Sequence, residues 1–84
     1  MNKETAIVIF HITKRKISVD LEIPLNITAN ELVLALNTAY ELGINTSDIK
    51  NCYLKAENPI ALLRGNKTLA DYGLRNGSDI YYTE

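Results

Sequence analysis

The stretch ISVDLEIPLNITANELVLALNTAYELG, residues 17–43, contains a change of hydrophobic period that decides the architecture. Ile17, Val19, Leu21 and Ile23 alternate with Ser18, Asp20 and Glu22, the two-residue period of a strand with one face buried. Pro24 brings no N–H to a ladder and closes that strand. Thr28-Ala29-Asn30-Glu31 then has the spacing of a capping box. In it the Thr28 hydroxyl accepts from the Glu31 N–H and the Glu31 carboxylate accepts from the Thr28 N–H. From there the period lengthens. Ala29, Leu32, Val33, Leu36, Ala39 and Tyr40 recur at helical spacing, giving one apolar stripe on a helix to about Leu42, with Gly43 as its left-handed stop. Leu34 lies off the stripe.

Working toward the N-terminus, Lys14-Arg15-Lys16 is a polar break of hairpin-loop size, read most simply as a solvated turn able to steer an acidic partner. Ala6 to Ile12 before it is a β-branched and aromatic run. Thr5, His11 and Thr13 share the odd-numbered face, which favours Ala6, Val8, Phe10 and Ile12 as the core face. The opposite register stays open; it would bury Ile7 and Ile9. Toward the C-terminus, Ile44 to Lys50 is an irregular connection with a turn at Thr46-Ser47-Asp48. Asn51 to Ala56 and Ile60 to Arg64 are strands separated by Asn58-Pro59. Gly65-Asn66 turns the chain, and Ser78 to Thr83 is a last strand after the Asn76-Gly77 turn. Strand, strand, helix, strand, strand, strand is an α+β order. One helix crosses one face of a mixed four- to five-stranded sheet, with the first and last strands parallel at its centre.

With 84 residues there is room for one domain, taken here as 1–84 with an ordered core over about 6–83. The net charge of −1 draws the chain to neither nucleic acid nor anionic lipid, and no apolar run reaches the length of a membrane helix. The N-terminus is a poor signal peptide, so a cytoplasmic location is expected. Cys52 and His11 are each the only residue of their kind, and neither has a partner at catalytic or metal-ligand spacing. Cys52 reads as a small buried hydrophobe of the third strand and His11 as a solvated residue on the outer sheet face. No Gly-rich phosphate loop is present. The expectation is therefore no enzyme, no catalytic residue, no metal and no cofactor.

The segment TLADYGLRNGSDI, residues 68–80, together with the element order and the capped helix after Pro24, resembles ubiquitin over about Ala6 to Thr83. The resemblance implies a ubiquitin-like β-grasp fold in which Leu69 and Tyr72 pack beneath the sheet before the last strand. Gly73 to Ile80 in a small stand-alone chain is further similar to the YukD/EsaB family, ubiquitin-like accessory proteins of the type VII (ESX-like) secretion system. That resemblance implies regulation by binding to cytoplasmic parts of a membrane-bound machine, its ATPase or an associated membrane component. Conjugated ubiquitin-like proteins and sulfur carriers activate a C-terminal Gly-Gly, whereas Tyr82-Thr83-Glu84 is bulky, so a modifier or carrier is the minor alternative. A generic β-grasp adaptor is the other.

Function is then expected on the surface. If Leu54 and Ile80 face inward, Tyr53, Lys55, Tyr81 and Thr83 face outward, and Ile7, Ile9 and His11 join them. Tyrosines beside branched aliphatics make a partner-binding face, because Tyr supplies contact area at low entropic cost. A weak homo-oligomer stays open.

Overall fold

The computed structural model describes residues 4–48 and 52–83. Strands β1 (Thr5–Ile12), β2 (Ile17–Pro24), β3 (Leu54–Glu57), β4 (Ala61–Leu63) and β5 (Asp79–Tyr82) form a sheet of order β2-β1-β5-β3-β4. Helix α1 (Ala29–Tyr40) supplies the other layer. β1 and β5 run parallel in the middle and every other pair is antiparallel. This is the mixed sheet with one helix that the element order predicts.

The parity of β1 sets which face is buried. Ala6, Val8, Phe10 and Ile12 are all buried, while Ile7 is 53% exposed. The register then carries that parity across the sheet: Phe10 stands beside Val19 and Ile80, Ile80 beside Ala56, and Leu54 beside Leu63. These side chains meet Ala29, Leu32, Val33 and Leu36 of α1 in one core. Leu69 is buried in it, and Tyr72 packs at its edge with its hydroxyl donating to the Arg64 carbonyl at 2.7 Å. Asn76-Gly77 makes the turn into β5: Gly77 has φ +88°, and its N–H donates to the Ile7 carbonyl at 2.9 Å.

The capping box forms as read, with Glu31 N–H donating to Thr28 Oγ1 at 3.1 Å and Thr28 N–H to Glu31 Oε1 at 3.0 Å. The far end of the helix differs. It stops at Tyr40, and the left-handed residue that caps it is Glu41 (φ 51°); Gly43 is left-handed as well (φ +77°) but lies two residues beyond the cap. The early reversal turns Leu42 into the core, where it is buried, and Asn37 holds Ile44 by both its N–H and its carbonyl. Ala39 falls at the margin of the stripe and is exposed. Leu34, off the stripe, is 39% exposed.

Arg15 also departs from the solvated turn. Residues Thr13–Arg15 form a 3₁₀ turn, and the Arg15 guanidinium donates to the carbonyls of Tyr40 (2.6 Å) and Glu41 (2.8 Å). A cation at the negative end of the helix dipole satisfies carbonyls that have no partner within the helix. The hairpin thereby braces α1.

Three strands are shorter than the sequence suggests. β3 begins at Leu54; Cys52 is buried just before it, with Sγ 4.0 Å from Asn30 Oδ1, and Asn51 lies outside the described residues. β4 omits Ile60 and Arg64, and β5 omits Ser78 and Thr83. Ser78 is fully buried although polar. Its hydroxyl donates to the Asn58 carbonyl at 2.6 Å and accepts from the Arg75 N–H at 3.0 Å, so its burial leaves no polar group unpaired.

Candidate functional site

The sheet face away from α1 carries the odd-numbered side chains of β1 and their cross-strand neighbours. Ser18, His11, Tyr81, Lys55 and Leu62 stand in one row that crosses all five strands. The adjacent row holds Asp20, Ile9, Asp79 and Glu57, and Glu22 stands beside Ile7. These placements follow from two turns. The loop after Ile12 sets His11 opposite Ser18, and the Asn76-Gly77 turn sets Tyr81 beside His11.

His11 joins three strands. Its Nδ1 lies 2.8 Å from Ser18 Oγ and its Nε2 lies 2.9 Å from Asp79 Oδ1. Its ring stacks on Tyr81 at 4.4 Å between centroids and 12° between planes. The second Asp79 oxygen accepts from Asn58 Nδ2 at 3.3 Å. His11 is thus on the outer face as the sequence indicates, but it is not solvated: its side chain is only 22% exposed and both nitrogens are engaged. Hydroxyl, imidazole and carboxylate in a line are the components of a nucleophilic triad. A triad acts on an acyl group held against fixed oxyanion donors. Ser18 instead stands exposed on the edge strand β2. The line serves as a clasp across β2, β1 and β5.

Two shallow grooves flank Tyr81. One, of about 490 Å³, runs between Lys55, Glu57, Ile60, Leu62, Tyr81 and Thr83. The other, of about 270 Å³, brings Tyr53 and Asn45 to Lys55, Tyr81 and Thr83. Ile60 is 89% and Leu62 38% exposed. Hydrogen bonding to the Glu57 carboxylate, then partial burial and the charges of Glu57 and Asp79, push the Tyr81 phenol above its ordinary value. Tyr81 therefore presents a neutral hydroxyl at physiological pH.

Among the seven residues singled out from the sequence, Tyr53, Lys55, Tyr81 and Thr83 line the grooves, and His11 joins them through Tyr81. Ile9 lies one row away, and Ile7 one row further toward the Asn76-Gly77 turn. Sequence reasoning missed Ser18, Asp20, Glu57, Ile60, Leu62 and Asp79. Ser18 falls opposite His11 and Asp20 opposite Ile9 only when the loop is the four residues Thr13–Lys16; the three-residue Lys14–Lys16 break seen in the sequence sets the register off by one.

Elsewhere, a cavity of about 490 Å³ at the start of α1 is lined by Asn30, Cys52, Arg64 and Tyr72 among others. Among the described residues no group of three or more His, Cys, Asp or Glu side chains is placed to hold a metal ion, and no helix is long and apolar enough to cross a membrane.

The architecture is similar to that of the C-terminal ubiquitin-like domain of mouse tubulin-specific chaperone e. The TM-score is 0.73 at 12% identity, over 96% of this chain and 87% of that one. It is also similar to the UBL domain of Plasmodium falciparum Dsk2, with TM-score 0.61 at 17% identity, over 95% of this chain and 100% of that one. At such identities the likeness establishes the ubiquitin-like fold alone. Comparison with curated proteins returns no match. The profile of the family described as WXG100 protein secretion system (Wss), protein YukD, matches residues 6–81, nearly the whole of this β-grasp unit, and the chain belongs to that family.

Proposed function

We propose that the chain is a non-catalytic, non-conjugating component of a WXG100 (type VII) secretion system. In this reading it works on the cytoplasmic side by docking the outer face of its sheet onto protein parts of the membrane-bound machine. Family membership supports the setting. The observation that carries the choice of face is the distribution of exposed apolar groups. Of the five large hydrophobic side chains exposed among the described residues, Ile7, Ile60 and Leu62 belong to this face, around the stacked His11 and Tyr81. Apolar surface gathered beside tyrosine is the composition of a contact patch. Ile17 and Leu34 are exposed singly elsewhere and need no such account.

Substituting both Ile9→Glu and Tyr81→Glu tests the reading. In cells that carry the secretion system, the variant keeps its circular dichroism spectrum and no longer co-purifies with the membrane complex. Unchanged co-purification by the folded variant contradicts the choice of face. A covalent adduct of the chain with another protein, seen by mass spectrometry of material from those cells, contradicts the non-conjugating mode.

A further inference from the structure

The docking face has an electrical character that the apolar patch alone does not explain. Asp20 on β2 and Asp79 on β5 flank Ile9, with Glu57 on β3 beyond Asp79, while Ile7 has Glu22 on its β2 side and the uncharged Asn76-Gly77 turn on the other. Among the described residues, Asp79 meets His11, but no lysine or arginine nitrogen lies within 4.0 Å of any of these four carboxylates. Asp79 and Glu57 are direct cross-strand neighbours, about 5 Å apart by strand spacing, an arrangement that destabilises a sheet when both are charged. The outward positions of the five strands hold these four acids against one fixed cation, Lys55. Ile9 therefore lies in a trough with acidic walls, and Ile7 continues it toward the Asn76-Gly77 turn with an acidic wall on the β2 side alone.

Resting on the face assigned above, we propose that the partner presents a cationic amphipathic helix, lying along β1 with its apolar stripe on Ile7 and Ile9. The dimensions match. Ile7 and Ile9 are about 7 Å apart along the strand, close to the roughly 6 Å rise between helix residues four apart. The acidic walls on β2 and β5 are two strand spacings apart, about 10 Å, which is close to the diameter of a helix with its side chains. Lysine or arginine on both flanks of the stripe then meets Asp20 and Glu22 on one side and Asp79 and Glu57 on the other. An extended strand presents one row of side chains to a surface and reaches only one wall. Anionic partners, whether nucleic acid or lipid, are repelled.

The probe is a synthetic helical peptide of about 18 residues, long enough to hold a helix, with leucine at stripe positions and lysine on both flanks. Its control carries glutamate in place of lysine. With methyl-labelled protein, the lysine peptide shifts the Ile7 and Ile9 signals and leaves Ile23 and Ile80 in place. Raising salt from about 50 to about 300 mM weakens its affinity by about tenfold or more. The Asp20→Lys/Glu22→Lys variant, still folded by circular dichroism, loses at least about tenfold in affinity, whereas Asp71→Lys, remote from the face, stays within about twofold.

Equal binding of the glutamate peptide, or an equal loss in the Asp71→Lys variant, overturns the proposal. So does self-association of the free chain through this face in sedimentation, which would make a second copy the occupant. Co-purification with the membrane complex separates the two readings. If Asp20→Lys/Glu22→Lys retains the native partner while Ile9→Glu/Tyr81→Glu loses it, the helix chemistry is wrong and the face is right. If both variants retain it, the face is wrong as well.

Discussion

Ile7 and Ile12 belong to the same strand, yet Ile7 is 53% exposed and Ile12 is 0% exposed. They differ in parity. The inner face of β1 meets the helix and the core, whereas the outer face meets carboxylates, His11 and Tyr81. The contrast teaches that composition does not distinguish the two faces, since each offers branched aliphatics. What distinguishes them is their neighbours, apolar on one side and ionisable on the other. Stability is concentrated on the first face and, in the account above, recognition on the second.

Truncation on the two faces gives the largest separation. Phe10→Ala removes a fully buried ring that packs at 5.3 Å from Tyr40 and costs about 3–5 kcal/mol in urea unfolding. For a chain of this length, whose whole stability is on the order of 4–12 kcal/mol, that loss removes at least about a quarter of the total. Ile7→Ala changes stability by only about 0.5 kcal/mol or less. Equal losses at the two positions would erase the contrast.

A smaller effect sharpens it. His11→Ala removes the clasp over Ser18, Asp79 and Tyr81, and the expected cost is about 0.5–1 kcal/mol, the size of a cross-strand pair. Amide exchange should quicken in β5 while α1 keeps its protection. A loss as large as that of Phe10→Ala would place His11 in the core's cooperative unit instead.

The smallest effect is one of pH. The Tyr81 phenol titrates above its usual value of about 10, chiefly because Glu57 accepts its hydrogen bond. A value raised in the folded state stabilises fully below the unfolded value and is lost as pH climbs through the folded one. In NMR titration of ring-labelled tyrosine, Tyr81 should ionise later than a free tyrosine, and Glu57→Gln should bring it back toward the ordinary value. An unchanged Tyr81 in that variant would mean the Glu57 contact is not what holds it.

The two faces were unequally legible in the sequence. Thr5, His11 and Thr13 on one parity were enough to orient β1, and the Thr28–Glu31 box fixed the start of the helix, because both depend on residues near in sequence. The end of the helix was not legible, because it is set by Arg15 from the hairpin and by Leu42 reaching the core, contacts that span the fold. His11 shows the same limit on the outer face. Parity put it on the correct side, but its partner Asp79 comes from the other end of the chain, and only the parallel pairing of β1 with β5 brings them together. Lys14 to Lys16 looked like a single basic cluster, yet Arg15 turns away to the helix carbonyls. The acidic trough, the feature that gives the face its character, is distributed over three strands and exists only once they are in register.

Isoleucine and leucine methyl spectra of the labelled chain, recorded free and bound to the solubilised secretion complex, decide which face meets the partner. Docking through the outer face shifts or broadens the Ile7 and Ile9 signals while Ile23 and Ile80, under the helix, stay where they are. Unmoved Ile7 and Ile9 signals alongside displaced leucine signals from Leu34 on α1 would place the interface on the opposite side of the molecule and contradict it.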